Sequence, residues 1–120
     1  MLTLGSIMVG TMDLKTLARF WTEVLGEPSA NDDGNWCGWE ISGTYLMLST
    51  HSEMKGETKD PGRIMLNLST NKVKEEFERI KKIKGVKVIK EPYEMGGMWI
   101  ATLADPDGNY FQLMPPWEEK

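Results

Sequence analysis

Late in the chain the sequence reads Leu103-Ala104-Asp105-Pro106-Asp107-Gly108-Asn109-Tyr110-Phe111-Gln112-Leu113. Its centre, Asp-Pro-Asp-Gly-Asn, is typical of a tight turn, because proline presets its own φ and Asp, Gly and Asn tolerate left-handed backbone. Residues 98–103 before it and 110–114 after it are largely apolar. The stretch therefore predicts two antiparallel strands joined by a short loop.

A weaker copy of this stretch occurs earlier in the chain. Gly43-Thr44-Tyr45-Leu46-Met47-Leu48 aligns residue for residue with Gly108-Asn109-Tyr110-Phe111-Gln112-Leu113. Each copy ends the same predicted order of elements: a strand, an amphipathic helix and three strands. A period of about 60 residues in a chain of 120 predicts duplication of one unit. Further matches align Ile7-Met8 with Ile64-Met65, Trp36 with Trp99, and Tyr45 with Tyr110.

Hydrophobic spacing and turn residues predict the elements of the first half. Apolar residues recur every three or four positions after Asp13, which predicts a helix from an Asp13 N-cap to a stop at Gly26. Alternation predicts strands at residues 4–10, 36–41 and 44–50, with a turn at 31–35.

The second half is predicted from the same signals. They indicate a strand at 63–69, a helix at about 72–84, and strands at 86–89, 98–103 and 110–114. The polar segment 51–62 predicts a linker, so that a single domain contains two modules at about 1–51 and 62–116. Trp117 is expected to cap the core or to close over a partner.

The composition excludes several classes of protein. The formal net charge of −4 argues against nucleic-acid binding, which needs a basic face, and favours a neutral or cationic small partner. The single cysteine, Cys37, excludes an intrachain disulfide and predicts a reducing, cytoplasmic location. No apolar run approaches the roughly 20 residues of a membrane span, and we expect no signal peptide.

Alternation along the predicted strands separates two faces. One is aliphatic and is predicted to pack under the helices; Ile64, Leu66 and Leu68 belong to it. The other, the mixed face, combines Met and Tyr with Ser, Asn, Gln and Arg, which predicts a sheet curling around a half-apolar cavity. A dimer interface or a second core remains an alternative. The predicted ligand-binding residues are Ser6, Met8, Tyr45, Met47, Arg63, Met65, Asn67, Trp99, Tyr110 and Gln112.

With these features the chain resembles the vicinal oxygen chelate superfamily, which includes glyoxalase I, extradiol dioxygenases and bleomycin resistance proteins. The resemblance covers essentially the whole chain. It rests on the paired modules, on Met12-Asp13-Leu14, Phe20-Trp21 and Val24-Leu25-Gly26, and on Asp105-Pro106-Asp107-Gly108-Asn109 followed by Gln112-Leu113. It implies an α+β fold of two βαβββ modules, whose mixed sheets form an open cup with the helices on the outer face.

The resemblance also implies where a metal ion would bind. Metal-using members carry a His in each module's first strand and a Glu, or another ligand, in each last strand; these positions fall on Ser6, Met47, Arg63 and Gln112. Such ions need carboxylate, imidazole or thiolate ligands, and arginine never deprotonates. We therefore predict no metal and no cofactor. A guanidinium facing the cup would instead pair with a carboxylate of the protein or of a ligand.

Other chemistry-bearing residues have a structural and a functional interpretation. The single histidine, His51, is interpreted as an exposed loop residue, with a general base as the alternative. Cys37 is interpreted as a small buried hydrophobe, and Glu40 as a possible cup carboxylate. Gly96-Gly97 predicts a bend or a mobile flap. The rings of Trp36, Trp39 and Trp99 could stack on a ligand or pack in a core or a dimer.

These observations support three functional hypotheses. The leading one is metal-independent binding of a small apolar or aromatic molecule in the cup, with antibiotic sequestration of the bleomycin resistance type as one version. The second is a metal-free isomerase or lyase acting on a small carbonyl compound, so enzymatic activity stays open. The third is an interaction module whose cup is filled by a partner chain. The predicted partners are a small-molecule ligand and a second copy in a homodimer, with no nucleic acid and no membrane.

Overall fold

The computed structural model describes residues 1–32 and 34–116; Asp33, in the predicted turn, and the segment 117–120 with Trp117 lie outside the described residues. The chain divides into two compact units, module 1 (Met1–Gly56) and module 2 (Glu57–Lys120). Module 1 contains β1 (Ser6–Thr11), α1 (Leu14–Leu25), β2 (Ala30–Asp32), β3 (Trp36–Ile41) and β4 (Thr44–Thr50). Module 2 contains β5 (Leu66–Ser69), α2 (Val73–Ile80), β6 (Lys87–Met95), β7 (Met98–Ala104) and β8 (Tyr110–Met114).

Each module forms one open, mixed, four-stranded sheet. The strand orders are β1-β4-β3-β2 and β5-β8-β7-β6, so the last strand of each module lies beside its first strand. The β1–β4 and β5–β8 pairs are parallel and the other pairs are antiparallel. The same order in both modules confirms the α+β fold of two βαβββ modules and the internal duplication.

Helix α1 begins and ends where the sequence predicts. The Asp13 carboxylate accepts a hydrogen bond from the Thr16 N–H at 3.2 Å, which caps the first turn. Gly26 adopts a φ of 95°, and its N–H donates to the Thr22 carbonyl at 2.8 Å. The apolar stripe packs on β3 and β4 and is buried at Leu17, Phe20, Trp21 and Val24. No helix within residues 1–32 and 34–116 is long and apolar enough to cross a membrane.

Helix α2 is shorter than predicted and ends at Ile80 rather than near Lys84. The Ile83 N–H donates to the Ile80 carbonyl at 2.9 Å, an i to i−3 bond that tightens the chain into a turn. Gly85 then takes a φ of 97° and leads into β6. Val73, Phe77 and Ile80 are buried, at the three- and four-residue spacing that predicted this helix. The helix is therefore confirmed, although its predicted end is wrong.

The Asp105–Asn109 loop between β7 and β8 is held by one buried carboxylate. Asp105 is 2% exposed. Its Oδ1 accepts from the backbone N–H groups of Asp107 and Asn109 at 3.0 and 2.9 Å, and both its oxygens accept from the Asn109 side-chain amide. The Asp105 and Asn109 backbones also bond at 2.9 Å, which closes the antiparallel pair. The predicted turn is therefore confirmed, with the Asp105 side chain as its centre.

Three strand predictions need correction. The predicted turn at 31–35 contains the end of β2, a three-residue strand of exposed residues that alternation could not reveal. β6 extends from Lys87 to Met95, beyond the predicted 86–89. β5 begins at Leu66 rather than residue 63, because a turn closed by the Arg63 N–H and the Asp60 carbonyl, at 3.0 Å, precedes it. Ile64, predicted to pack under the helices, is 81% exposed.

Replacement of Asp105 by Ala should destabilise the protein by about 3 kcal/mol, because several donors lose a charged acceptor away from water. Asp107→Ala is the matched control, since Asp107 contributes its backbone N–H to the loop rather than its carboxylate. Urea unfolding of both variants measures the difference. Equal free energies of unfolding for the two variants would show that the carboxylate does not hold the loop.

Removal of the α1 N-cap should have a pH-dependent effect. Hydrogen bonds from Thr16 lower the pKa of Asp13 below its usual value of 3.8. The stabilisation is therefore present above the usual pKa and is lost as the pH falls through the lowered, folded value. Thermal unfolding should show Asp13→Ala less stable than the natural protein at pH 7, with the gap closing as the pH falls below the usual carboxyl value of 3.8. Asp13→Asn, which caps without titrating, should keep its advantage over Asp13→Ala at both pH values.

Candidate functional site

The strand registers determine which side chains share the mixed face, because residues paired on neighbouring strands point to the same side of a sheet. In module 1, Met8 of β1 pairs with Met47 of β4, and Met47 pairs with Gly38 of β3. We call these three residues the module 1 row. Ser6, Tyr45 and Glu40 form the neighbouring row on the same face. The helix face carries buried Cys37, Trp39, Leu46 and Leu48.

Module 2 has an equivalent row with different chemistry. Asn67 of β5 pairs with Gln112 of β8, and Gln112 pairs with Thr102 of β7. We call these residues the module 2 row. The Gln112 Nε2 donates to Thr102 Oγ1 at 3.2 Å, which shows that the two side chains meet on this face. Tyr110, two residues before Gln112, belongs to the same face and pairs with Ala104.

The registers correct two of the sequence matches between the modules. With Tyr45 equivalent to Tyr110, the strand pairings make Met8 equivalent to Asn67, rather than to Met65. They also make Trp36 equivalent to Ile100, rather than to Trp99. A shift of one residue moves a side chain to the other face of a strand. Alignment by residue type alone therefore assigned Trp99 to the wrong neighbours.

The tryptophans consequently have different positions. Trp99 shares the helix face of β7 with Ala101 and Leu103, and the Lys74 ammonium of α2 lies 3.6 Å from its ring centroid. Trp39 lies in the core, where its Nε1 donates to the Gly26 carbonyl at 2.8 Å. Trp36 pairs with Ser49 and lies on the mixed face, half-buried. Of these three rings, Trp36 is the one whose strand register places it with the predicted ligand-binding residues.

Arg63 and Met65 do not belong to the sheet, although both were predicted ligand-binding residues on it. They precede β5. The Arg63 side chain is 78% exposed and its Nη2 lies 3.6 Å from Asp60 Oδ2, an exposed ion pair that contributes little stability. The expected cation on the mixed face is thus absent at this position. The permanent charge of Arg63, which counted against a metal ion in the sequence prediction, therefore gives no evidence about a metal ion on the sheet.

Tyr45 lies directly over Gly38. A Cβ added to Gly38 would overlap the Tyr45 ring at Cε1 and would approach its Cζ and hydroxyl oxygen to 2.7 and 2.8 Å. Only glycine therefore lets the ring lie across β3 at this point. Gly38 was not among the predicted site residues, although an isolated glycine inside a strand, as in Trp36-Cys37-Gly38-Trp39, is a sequence signal for such a close approach.

His51 lies nearer the sheet than an exposed loop residue would. Its N–H donates to the Thr11 carbonyl at 2.9 Å, and its Cβ would contact a Cβ placed on Gly10 at 3.3 Å. The Cγ of Met54 would approach the same point to 3.0 Å. The Nδ1 of His51 accepts from the Glu53 N–H at 3.2 Å, so the neutral ring carries its proton on Nε2.

Cys37 has no role on the mixed face. It pairs with Leu48, is 6% exposed, and lies in the core as predicted. Burial raises the pKa of its thiol above 9.0, the ordinary value, so the neutral form is favoured. Glu40 lies on the mixed face beside Tyr45. The sequence alone did not determine which face of its strand Glu40 occupies.

The two rows do not suit the divalent metal that the resemblance implies. They contain two thioethers and a glycine in one module, and two amides and a hydroxyl in the other. Divalent ions in proteins prefer carboxylate oxygens, imidazole nitrogens or thiolates, and neutral amides are weak substitutes. Within residues 1–32 and 34–116, no three His, Cys, Asp or Glu side chains are grouped as metal ligands would be. We therefore derive no chemistry through a metal.

Comparison with known proteins identifies the family. A family model described as a glyoxalase-like domain matches residues 6–114, nearly the whole chain. The chain belongs to the glyoxalase-like domain family. No curated protein sequence matches it.

Solved structures of this family share the fold at low sequence identity. A glyoxalase-related enzyme from Fulvimarina pelagi is 21% identical, with 97% of this chain and 89% of that chain covered and a TM-score of 0.78. A glyoxalase/bleomycin resistance protein/dioxygenase family enzyme from Burkholderia phytofirmans PsJN is also 21% identical, with coverage of 93% and 97% and a TM-score of 0.73. At these identities the likeness shows the fold, which is the one the two modules display.

Substitution of Gly38 by Ala should destabilise the protein by about 1–3 kcal/mol, because the new methyl group forces the Tyr45 ring off the sheet. Gly5→Ala is the control, since a Cβ there meets nothing within 4 Å. Urea unfolding measures both. Tyr45→Ala removes the ring, so adding Gly38→Ala to that variant should cost little further stability. If the two losses of unfolding free energy simply add in the double variant Gly38→Ala/Tyr45→Ala, the contact between Gly38 and the ring is contradicted.

Proposed function

We propose that this glyoxalase-like protein binds a small apolar or aromatic molecule on the mixed face of its sheets, without a divalent metal. The supporting observation is the module 1 row with Tyr45 beside it. Two thioethers lie on adjacent strands, and the ring of Tyr45 lies close against Gly38. Methionine adapts its shape to different apolar partners, and aromatic rings offer a flat surface for stacking.

The exposure of these residues supports binding rather than a second core. Met8 is 55% exposed, and Met47 and Tyr45 are half-buried. An exposed thioether beside a half-buried one gives an apolar surface that a ligand can cover. An apolar ligand gains roughly 25 cal/mol for each Å² of surface that it removes from water here.

A cationic ligand of the antibiotic type is the finer version of this proposal. Glu40 and Asp32 lie on the mixed face of module 1 through their pairing with Tyr45 and Trp36, and the net charge of the chain is −4. Carboxylates beside aromatic rings favour a cation over an anion. Sequestration of such a compound requires binding and no chemical step.

The proposal includes a homodimer in a reducing compartment. Exposed apolar residues outside the rows, such as Leu4 at 66%, Ile64 at 81% and Val88 at 44%, support a further protein contact. The single cysteine is a free thiol, which suits a reducing location such as the cytoplasm.

Thermal unfolding against a panel of small aromatic, carbonyl and cationic drug-like compounds tests the binding proposal. A ligand present at 100 times its Kd should stabilise the protein by about 2.7 kcal/mol. Divalent metals and a chelator should leave the unfolding temperature unchanged. The variant Met8→Lys, which places a charge in the module 1 row at a residue that is 55% exposed, should lose the ligand-induced shift.

Met12→Lys is the matched control, because Met12 is equally exposed but lies outside both sheets. It should keep the shift. If no compound stabilises the protein, or if both lysine variants respond alike, the mixed face of module 1 is not the binding surface. Destabilisation by a chelator would contradict the metal-free part of the proposal.

A further inference from the structure

The two rows occupy equivalent positions but have diverged in chemistry. Module 1 carries Met8, Met47 and Gly38, whereas module 2 carries Asn67, Gln112 and Thr102 in the same order across its strands. The first row has two apolar side chains and a glycine. At each equivalent position, the second row has a side chain that can form hydrogen bonds. Duplicated positions that all change in one direction indicate a common role for the polar set.

Gln112 is held in a defined orientation within this row. Its Nε2 donates to Thr102 Oγ1 at 3.2 Å, and Thr102 is 7% exposed, so the bond lies largely out of water. Gln112 itself is half-buried. With one N–H engaged by Thr102, Gln112 retains its acceptor oxygen and one N–H donor. Thr102 acts here as a positioning residue, because it orients Gln112 rather than reaching outward itself.

Asn67 provides a second amide beside the first. It pairs with Gln112 across the parallel β5–β8 ladder and is exposed. Neighbouring strands lie about 4.8 Å apart, so the two side-chain amides can contact one small group together. The surface they form contains both donors and acceptors, and neither amide carries a charge.

Two lysines of β6 share the face of this row, because Lys90 pairs with Thr102 and Lys87 pairs with Ala104. The Lys90 ammonium lies 4.5 Å from the centroid of the Tyr93 ring. Lys87, further along β6, lies 3.3 Å from Glu57. A carboxylate offers only acceptors, so the Gln112 and Asn67 oxygens would find no donor on it.

From this geometry we propose that the module 2 row recognises a neutral carboxamide group of the ligand. A carboxamide presents an oxygen and an N–H side by side, and so satisfies both the acceptor and the donor that Gln112 and Asn67 offer. The inference rests on the proposed function and specifies the polar group of its ligand. It also accounts for the poor fit of the row to a metal, since the same positions serve hydrogen bonding.

Three aromatic probes of one shape test the proposal: 2-naphthamide, 2-naphthoate and 2-ethylnaphthalene. Binding is measured by titration calorimetry on the full chain. The natural protein should bind the carboxamide at least fivefold more tightly than the hydrocarbon or the carboxylate. Gln112→Leu should remove that preference, because leucine offers neither the donor nor the acceptor that the carboxamide uses.

The positioning role of Thr102 is tested separately. Thr102→Val keeps the shape and removes the acceptor for Gln112, so it should weaken carboxamide binding, whereas Thr102→Ser should restore it. Met47→Leu, at the position equivalent to Gln112 in module 1, should leave the preference for the carboxamide over the other two probes unchanged. Unfolding temperatures of each variant establish that it is folded.

The outcomes separate this inference from the proposed function. If no probe and no compound of the wider panel binds, the proposed function fails. If the hydrocarbon binds as tightly as the carboxamide, or the carboxylate binds more tightly, binding stands but carboxamide recognition is overturned. A carboxamide preference that survives Gln112→Leu would also overturn it, because the selectivity would then arise elsewhere.

Discussion

The parallel pairing of the first and last strand determines the arrangement of each module. It places β4 and β8 inside their sheets, with a neighbour on both sides, and the intervening helix covers one face. A parallel pair cannot be made by a hairpin, so the helix is the crossover that it requires. The β1–β4 and β5–β8 registers pair Met8 with Met47 and Asn67 with Gln112, and the β3–β4 and β7–β8 registers add Gly38 and Thr102. The rows Met8–Met47–Gly38 and Asn67–Gln112–Thr102 are direct consequences of those registers.

Elements with strong local signals could be predicted from the sequence, and elements formed by pairing could not. Helix α1, the β3–β4 hairpin and the Asp105–Asn109 loop each carry their own cap or turn residues. β2 has no apolar alternation and exists because β3 offers it an edge. The segment 63–65 has alternation but follows a Pro-Gly turn, whose backbone geometry delays β5 until Leu66. Hydrophobic periodicity shows which side of a segment can be buried, but it does not show which strand the segment pairs with.

The same distinction separates the predicted site residues that share the sheet from those that do not. Ser6, Met8, Tyr45, Met47, Asn67, Tyr110 and Gln112 lie on the mixed faces because period-two alternation applies within each strand. Arg63 and Met65 were assigned by alternation along a strand predicted to begin at residue 63, whereas β5 begins at Leu66, and Trp99 was assigned through its alignment with Trp36. Register errors of one or two residues are invisible to such an alignment, yet they change the face or the neighbours completely. Thr102 was missed because its strand reads as uniformly apolar, and its position emerges only from pairing with Gln112.

The divergence of the two rows assigns different energetic roles to them. An apolar row contributes affinity in proportion to the area that a ligand covers, and it discriminates weakly between ligands of similar shape. A row of oriented amides contributes little net affinity, because each hydrogen bond to the ligand replaces one to water. It discriminates strongly, however, since a ligand lacking the matching group leaves a partly buried polar atom without a partner. Gln112 is half-buried and held by Thr102, so its side-chain amide would incur this penalty if a ligand left it without a partner. A row of oriented amides such as that of module 2 should therefore govern selectivity, whereas an apolar row such as that of module 1 should govern affinity.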